Sequence, residues 1–257
     1  MVTCNKNLAA RLIAEMLGSM LVQCIGCCYS GLSVTSARST LDQLFNPGRE
    51  YVPKFQGTSL GYAFTWGGLI LAGTMAFRIV SGAHLNPIIS VASIIIRNIK
   101  LVDGLLYIVM QLGGSCLGYC IAFAMYGNLL SETQFCVTEV SSVWWMALVV
   151  EFYISGAWVL AFCSSVHESN QPPNESVSLK IGFVVICATL VGTQYSQSCM
   201  NPFRSLWPAL FHGFYKHIYI YVGIPIGASI SLAFAWRYLY LMNADETVSG
   251  PGGPDKD

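Results

Sequence analysis

The chain has 257 residues, of which 54% are hydrophobic and only 10% charged, with a formal net charge of zero and a mean hydropathy of +0.56. Soluble domains carry about a quarter charged residues, so the composition speaks for a membrane protein. No basic face is left for nucleic acid, and the length allows one compact bundle.

In chain order, the first apolar stretch, roughly 8–32, is longer than a signal-peptide core and lacks a small-residue cleavage site, so it reads as a membrane span. One carboxylate, Glu15, lies inside it. The polar stretch that follows holds Asn46-Pro47, read as an ordinary loop turn. The second span covers about 58–80. The apolar stretch 86–96 is too short to cross a bilayer and opens on Asn86-Pro87. Asn is a favoured N-cap and Pro a favoured first helical residue, so a short helix starts sharply there. Further spans cover about 101–126, 142–166 and 178–197, the fourth carrying Glu151. A second short stretch, 201–211, opens on Asn201-Pro202, and a sixth span covers about 217–241. Residues 1–242 form one transmembrane domain, and the Gly-, Pro- and Asp-rich segment 243–257 reads as a disordered tail.

Short helices at membrane depth are tolerated only when buried in protein or lining a watery cavity. The order span, span, half-helix, span occurs twice, over about 8–126 and 142–241. Each unit crosses an odd number of times, so the second is inverted, and the two Asn-Pro starts are expected to meet inside the bundle. The fold class is therefore all-α, with six transmembrane helices and two re-entrant half-helices. Gly114–Gly118 and Gly223–Gly227 have the small-xxx-small spacing of close helix contacts, a spacing that also arises by chance in glycine-rich spans.

Lysine and arginine set the orientation. Lys6, Arg11, Arg78, Arg97, Lys100, Lys180, Arg237 and Lys256 fall on the side of the termini, against Arg38, Arg49, Lys54 and Lys216 on the other. Both termini are thus expected in the cytoplasm, and the Asn174-Glu175-Ser176 sequon is expected to be unmodified. Of ten cysteines, Cys24, Cys27, Cys28, Cys116, Cys120, Cys163 and Cys187 sit in apolar runs and are expected to pack as small hydrophobes. None has metal-ligand spacing with histidine, and no nucleophile–base pair or phosphate loop is present. No metal, cofactor or enzymatic activity is expected.

The segments Ser81-Gly82-Ala83-His84-Leu85-Asn86-Pro87 and Met200-Asn201-Pro202-Phe203-Arg204-Ser205 resemble the paired signature of the aquaporins. The resemblance covers nearly the whole chain and includes Glu15, Glu151, Gln111 and His217. It implies a passive channel in the lipid bilayer for water and small neutral solutes such as glycerol or urea, assembled as a homotetramer and expected in the plasma membrane. It also implies that Glu15 and Glu151 hold the re-entrant loops, and that Arg204 with Trp66, Thr189 and Ser198 forms the outer selectivity filter. Water-selective members carry histidine where this chain has Thr189, so a wider filter is expected. Trp66 resembles the glycerol-conducting branch, whereas Ser205 and Tyr221 do not. The family's third motif residue is alanine. Here it is Ile88 and Phe203, which either fill a looser core or narrow the pore. Gly223-Ile224-Pro225 stands where the family has Gly-Pro. His84 either lines the cytoplasmic mouth or supports its loop.

The physics of the motif is independent of the resemblance. Two helix N-termini facing each other concentrate positive potential and free N–H donors. Asn86 and Asn201 can cap with the oxygen while the amide nitrogen meets a passing water. Arg204, a cation in the first turn of a half-helix, opposes the dipole and calls for a function or a buried carboxylate partner. Two readings compete with the channel. One is a non-conducting family member with a structural or regulatory role. The other is a coupled secondary transporter, disfavoured by the scarcity of intramembrane acids.

Overall fold

A computed structural model describes residues 7–38, 59–126, 135–141, 143–167 and 176–248. Among them are eight helices: α1 Leu8–Arg38, α2 Ser59–Ser81, α3 Pro87–Ile95, α4 Leu101–Tyr126, α5 Trp144–Val166, α6 Ser176–Ser196, α7 Pro202–His212 and α8 Ile218–Val248. Asn46-Pro47, Lys6, Arg49, Lys54, Lys256, Asn174 and Glu175 lie outside the described residues, as do 249–257.

Six helices are long and apolar enough to cross a membrane. Their polarity is inside out. On α1, Ile13, Leu17, Leu21 and Ile25 are exposed at helical spacing, while Glu15, Ser19 and Gln23 are buried. Water would drive such a helix the other way round, whereas lipid accepts the apolar stripe and leaves the polar groups to pair inside. The two outer helices outrun their apolar spans. Their membrane-crossing parts are Leu8–Ser30 and Ile218–Leu239, yet the helices continue to Arg38 and Val248. Apolar patterning marks the crossing and not the helix end, so residues 243–248, expected in a disordered tail, are the last turns of α8.

The second repeat reproduces the first. The shift in residue number that carries Asn86 onto Asn201 also carries Gly67 onto Gly182 and Leu71 onto Ile186. In space, a Cβ on Gly67 would stand 2.3 Å from the Ile186 side chain, and one on Gly182 2.5 Å from Leu71 Cβ. The α2–α6 contact is thus one pairing used twice, as an internal two-fold axis requires. The α1–α4 contact is closer still: Cβ atoms on Gly114 and Gly118 would fall 2.1 Å from Met16 O and 2.3 Å from Met20 O. Gly223 and Gly227 have the same spacing and meet nothing.

One cysteine expectation is corrected. Cys27 forms a disulfide with Cys136, 109 residues away. The bond joins α1 to segment 135–141 beside Tyr119, Ala122 and Phe135. Nothing local in sequence pairs positions so far apart, so Cys27 read only as an apolar residue. Single Cys27→Ser and Cys136→Ser variants should each melt lower than the parent, by on the order of 2–4 kcal/mol, and a non-reduced digest should contain the linked peptides. Alkylatable thiols at both positions in the parent, with unchanged melting in both variants, would contradict the bond.

Candidate functional site

Two buried carboxylates build the site. Glu15 Oε1 accepts from Ser81 Oγ at 2.6 Å and the His84 amide at 3.0 Å. Its Oε2 accepts from the Leu85 amide at 2.8 Å and Gln111 Nε2 at 2.7 Å. Glu151 repeats the pattern. Its Oε1 accepts from Ser196 Oγ at 2.5 Å and the Cys199 amide at 2.8 Å, and its Oε2 from the Met200 amide at 3.0 Å. Both glutamates have no exposed surface. Desolvating a carboxylate costs several kcal/mol unless donors surround it, and here the donors come from the segments leading into the two motifs.

Those segments need holding. Ala83, Leu85, Ser198 and Met200 have φ of 50, 52, 49 and 49°, and Gln197 has 59°. Left-handed conformations cost non-glycine residues on the order of 1–2 kcal/mol each. The strained residues sit in matching places before each Asn, and the amides they turn inward are the ones the carboxylates accept. Ser81 and Ser196 add a second brace, accepting from the amides of Ala83 at 3.1 Å and Ser198 at 3.2 Å.

Each loop delivers an N-cap. Asn86 Oδ1 accepts from the Ile88 amide at 3.1 Å, and Asn201 Oδ1 from the Phe203 amide at 3.0 Å, with Pro87 and Pro202 opening the helices. The Asn86 amide also donates to Met200 O at 2.9 Å, tying one loop to the other. One of its two N–H groups is therefore committed to the protein. Ile88 is fully buried in the main apolar core, and its carbonyl accepts from Ser229 at 2.5 Å, so it fills space. Phe203 is partly exposed.

The four expected filter residues come together. Arg204 Nη1 donates to Gln197 O at 3.1 Å and to Ser198 O. The guanidinium carbon lies 4.1 Å from the centre of the Trp66 ring, and Ser198 Oγ donates to Thr189 O at 2.9 Å. Among the described residues no carboxylate pairs with Arg204; backbone carbonyls and aromatic faces hold it. The expectation of a wide constriction meets a dense one. Relative exposures are 5% for Trp66, 0% for Thr189, 1% for Ser198 and 4% for Arg204.

Two residues that sequence reasoning passed over complete this cluster. Tyr62 OH donates to Gln197 O at 3.1 Å and accepts from Arg204 Nη2. Gln23 Nε2 donates to Arg204 O at 3.3 Å. Tyr62 lies one turn before Trp66, the only local signal it offers. Segment 135–141 closes over the same region: Thr138 Oγ1 donates to Ser205 Oγ at 2.6 Å.

At the other end, a cavity of about 680 Å³ is lined by Arg11, Arg78, His84, Arg97, Asn98 and Lys100, among others. Arg11 is held by Asp103 at 3.1 Å and Tyr107 at 2.8 Å. His84 belongs to this cavity and to the core beneath it. It lines the cavity, while its Nδ1 meets Ser90 Oγ at 3.1 Å and its ring edge packs on Tyr107 and Phe162. Tyr221 is buried, and its hydroxyl has no hydrogen-bond partner among the described residues. His217 Nδ1 pairs with Tyr219 OH at 3.3 Å.

The profile of the major intrinsic protein family matches residues 3–236. A putative aquaporin NIP4-1 of Arabidopsis thaliana is 31% identical over 235 residues, covering 90% of this chain and 75% of that protein. Nodulin-26 of Glycine max is 30% identical over 190 residues, covering 74% and 68%. The aquaglyceroporin of Plasmodium falciparum shares the fold, with a TM-score of 0.75 at 19% identity over 93% of this chain and 99% of that one.

Glu15→Gln and Glu151→Gln test the loop anchor. Glutamine keeps one acceptor oxygen and turns an NH2 toward N–H donors, so each variant should lose about 1.5–3 kcal/mol per stranded charged hydrogen bond. Folded yield and vesicle flux should both fall. Parent-like yield and flux in both variants would remove the carboxylates from the account.

Proposed function

Because the chain belongs to the major intrinsic protein family, whose members are channels and not enzymes, we propose that it is a passive pore for water and small uncharged solutes such as glycerol or urea, closed to protons and ions. The observation that carries this reading is the pair of Asn-capped half-helices braced by buried carboxylates. Their N-termini face each other across the Asn86–Met200 hydrogen bond. Fixed positive potential at that point repels cations, and a neutral solute pays no such penalty. Trp66, Thr189, Ser198 and Arg204 act as the outer filter. An apolar ring beside a guanidinium suits a carbon backbone on one side and hydroxyls on the other.

Both termini face the cytoplasm in this reading. Arg11, Arg78, Arg97 and Lys100 gather at the terminal face, and the Cys27–Cys136 disulfide lies at the opposite one, as contact with an oxidising compartment requires. A plasma-membrane location suits that arrangement. Assembly as a homotetramer is part of this proposal and is tested by cross-linking in native membranes.

A second reading has one observation in its favour. The near-complete burial of all four filter residues suits a family member that does not conduct. Stopped-flow permeability of reconstituted vesicles to water, glycerol and urea separates the two. The channel reading expects flux of water and of at least one solute, independent of any ion gradient. Thr189→His should lower solute flux while sparing much of the water flux. Water flux with glycerol and urea excluded in the parent would overturn the solute part, and vesicles as tight as protein-free ones would favour the silent reading.

A further inference from the structure

Tyr62 lies outside the four expected filter positions, and it holds the arginine on which they depend. It precedes Trp66 by one turn of α2, on the same helix face and nearer the end of the pore that carries the disulfide. It is 3% exposed. Its hydroxyl bridges Gln197 O and Arg204 Nη2, and its ring centre lies 5.4 Å from the guanidinium carbon. Trp66 supports the other side. The far end of its indole fills the space against Gly26 of α1, where a Cβ would come within 2.3 Å of the ring.

This clamp decides which donors the arginine keeps. A guanidinium has five N–H groups. Gln197 O and Ser198 O engage Nη1, and Tyr62 takes a bond from Nη2. Arg204 Nε, Trp66 Nε1 and Thr189 Oγ1 are buried without a partner among the described residues. Buried polar atoms are ordinarily satisfied. Three unsatisfied ones, on residues of three different helices packed around one arginine, are the groups available to a passing solute. Two are donors, and the third can play either part. They suit a neutral solute bearing oxygen acceptors, and the phenol above them limits its width.

Resting on the channel reading above, we propose that Tyr62 is a fifth filter residue and a determinant of specificity. By holding Arg204 Nη2 and occupying the lip of the constriction, it sets the size limit for neutral, oxygen-bearing solutes.

The test is stopped-flow permeability to water, urea and glycerol for the parent, Tyr62→Phe and Tyr62→Ala in vesicles of matched protein content. Tyr62→Phe keeps the ring and releases one guanidinium N–H. The glycerol-to-water permeability ratio should rise about threefold or more, equivalent to ~0.7 kcal/mol, and further in Tyr62→Ala. A residue that only packs would lower yield and every permeability together and leave the ratio unchanged. An unchanged ratio in the folded variants overturns the assignment. If the parent conducts nothing, the channel reading of the parent fails by itself. Onset of flux in either Tyr62 variant then sustains the assignment, and continued silence in both overturns it.

Discussion

The architecture depends on two buried carboxylates accepting hydrogen bonds from chain that has no helix of its own. Glu15 and Glu151 each meet the amides of the two residues directly before an Asn-Pro helix start. Backbone inside a membrane must find its partners within the protein, and these loops turn through left-handed conformations that ordinary residues avoid. A neutral side chain cannot accept from several donors at once as strongly as a carboxylate does. The carboxylates thus fix where the two Asn residues stand, and with them the half-helix axes and Arg204.

The internal two-fold explains what the halves share, and its violations give direction. Ser90 and Ser205 occupy equivalent places and meet the equivalent residues His84 and Cys199, yet the second partner is Gln111 for Ser90 and Thr138 for Ser205. Arg204 has Ile89 as its counterpart in the first repeat. One end therefore carries a dense cluster around a cation, and the other opens into a cavity with a basic rim. The Cys27–Cys136 disulfide falls on the filter side, where it fixes segment 135–141 next to the residue that follows Arg204. A symmetric scaffold is thereby given a densely packed end and a wide end.

How much of this the sequence disclosed follows from the range of each interaction. The half-helix starts were legible because capping is local: Asn, Pro and the amide two residues on lie within one turn. The spans were legible because lipid selects composition over some twenty residues. Helix ends beyond the apolar zone were not, and α8 runs into the segment read as tail. Gly114–Gly118 and Gly223–Gly227 look alike in sequence, but only the first faces another backbone. Trp66, Thr189, Ser198 and Arg204 were named from the resemblance to the aquaporins, and the structure brings them together. Tyr62, Gln23 and the Cys27–Cys136 pair were missed because their partners lie 142, 181 and 109 residues away. Such contacts exist only once the helices have packed. The close packing of these residues was missed for the same reason: Tyr62 and Trp66 reach the arginine across helix boundaries.

The central claim is that two opposed, carboxylate-held helix starts pass neutral molecules and stop protons. It is tested most directly in vesicles carrying the purified protein and an internal pH dye, with osmotic shrinkage and proton flux followed in the same preparation. Shrinkage should be faster than in protein-free vesicles, and the pH gradient should decay no faster than in those vesicles. A proton leak that rises in proportion to protein content would contradict it.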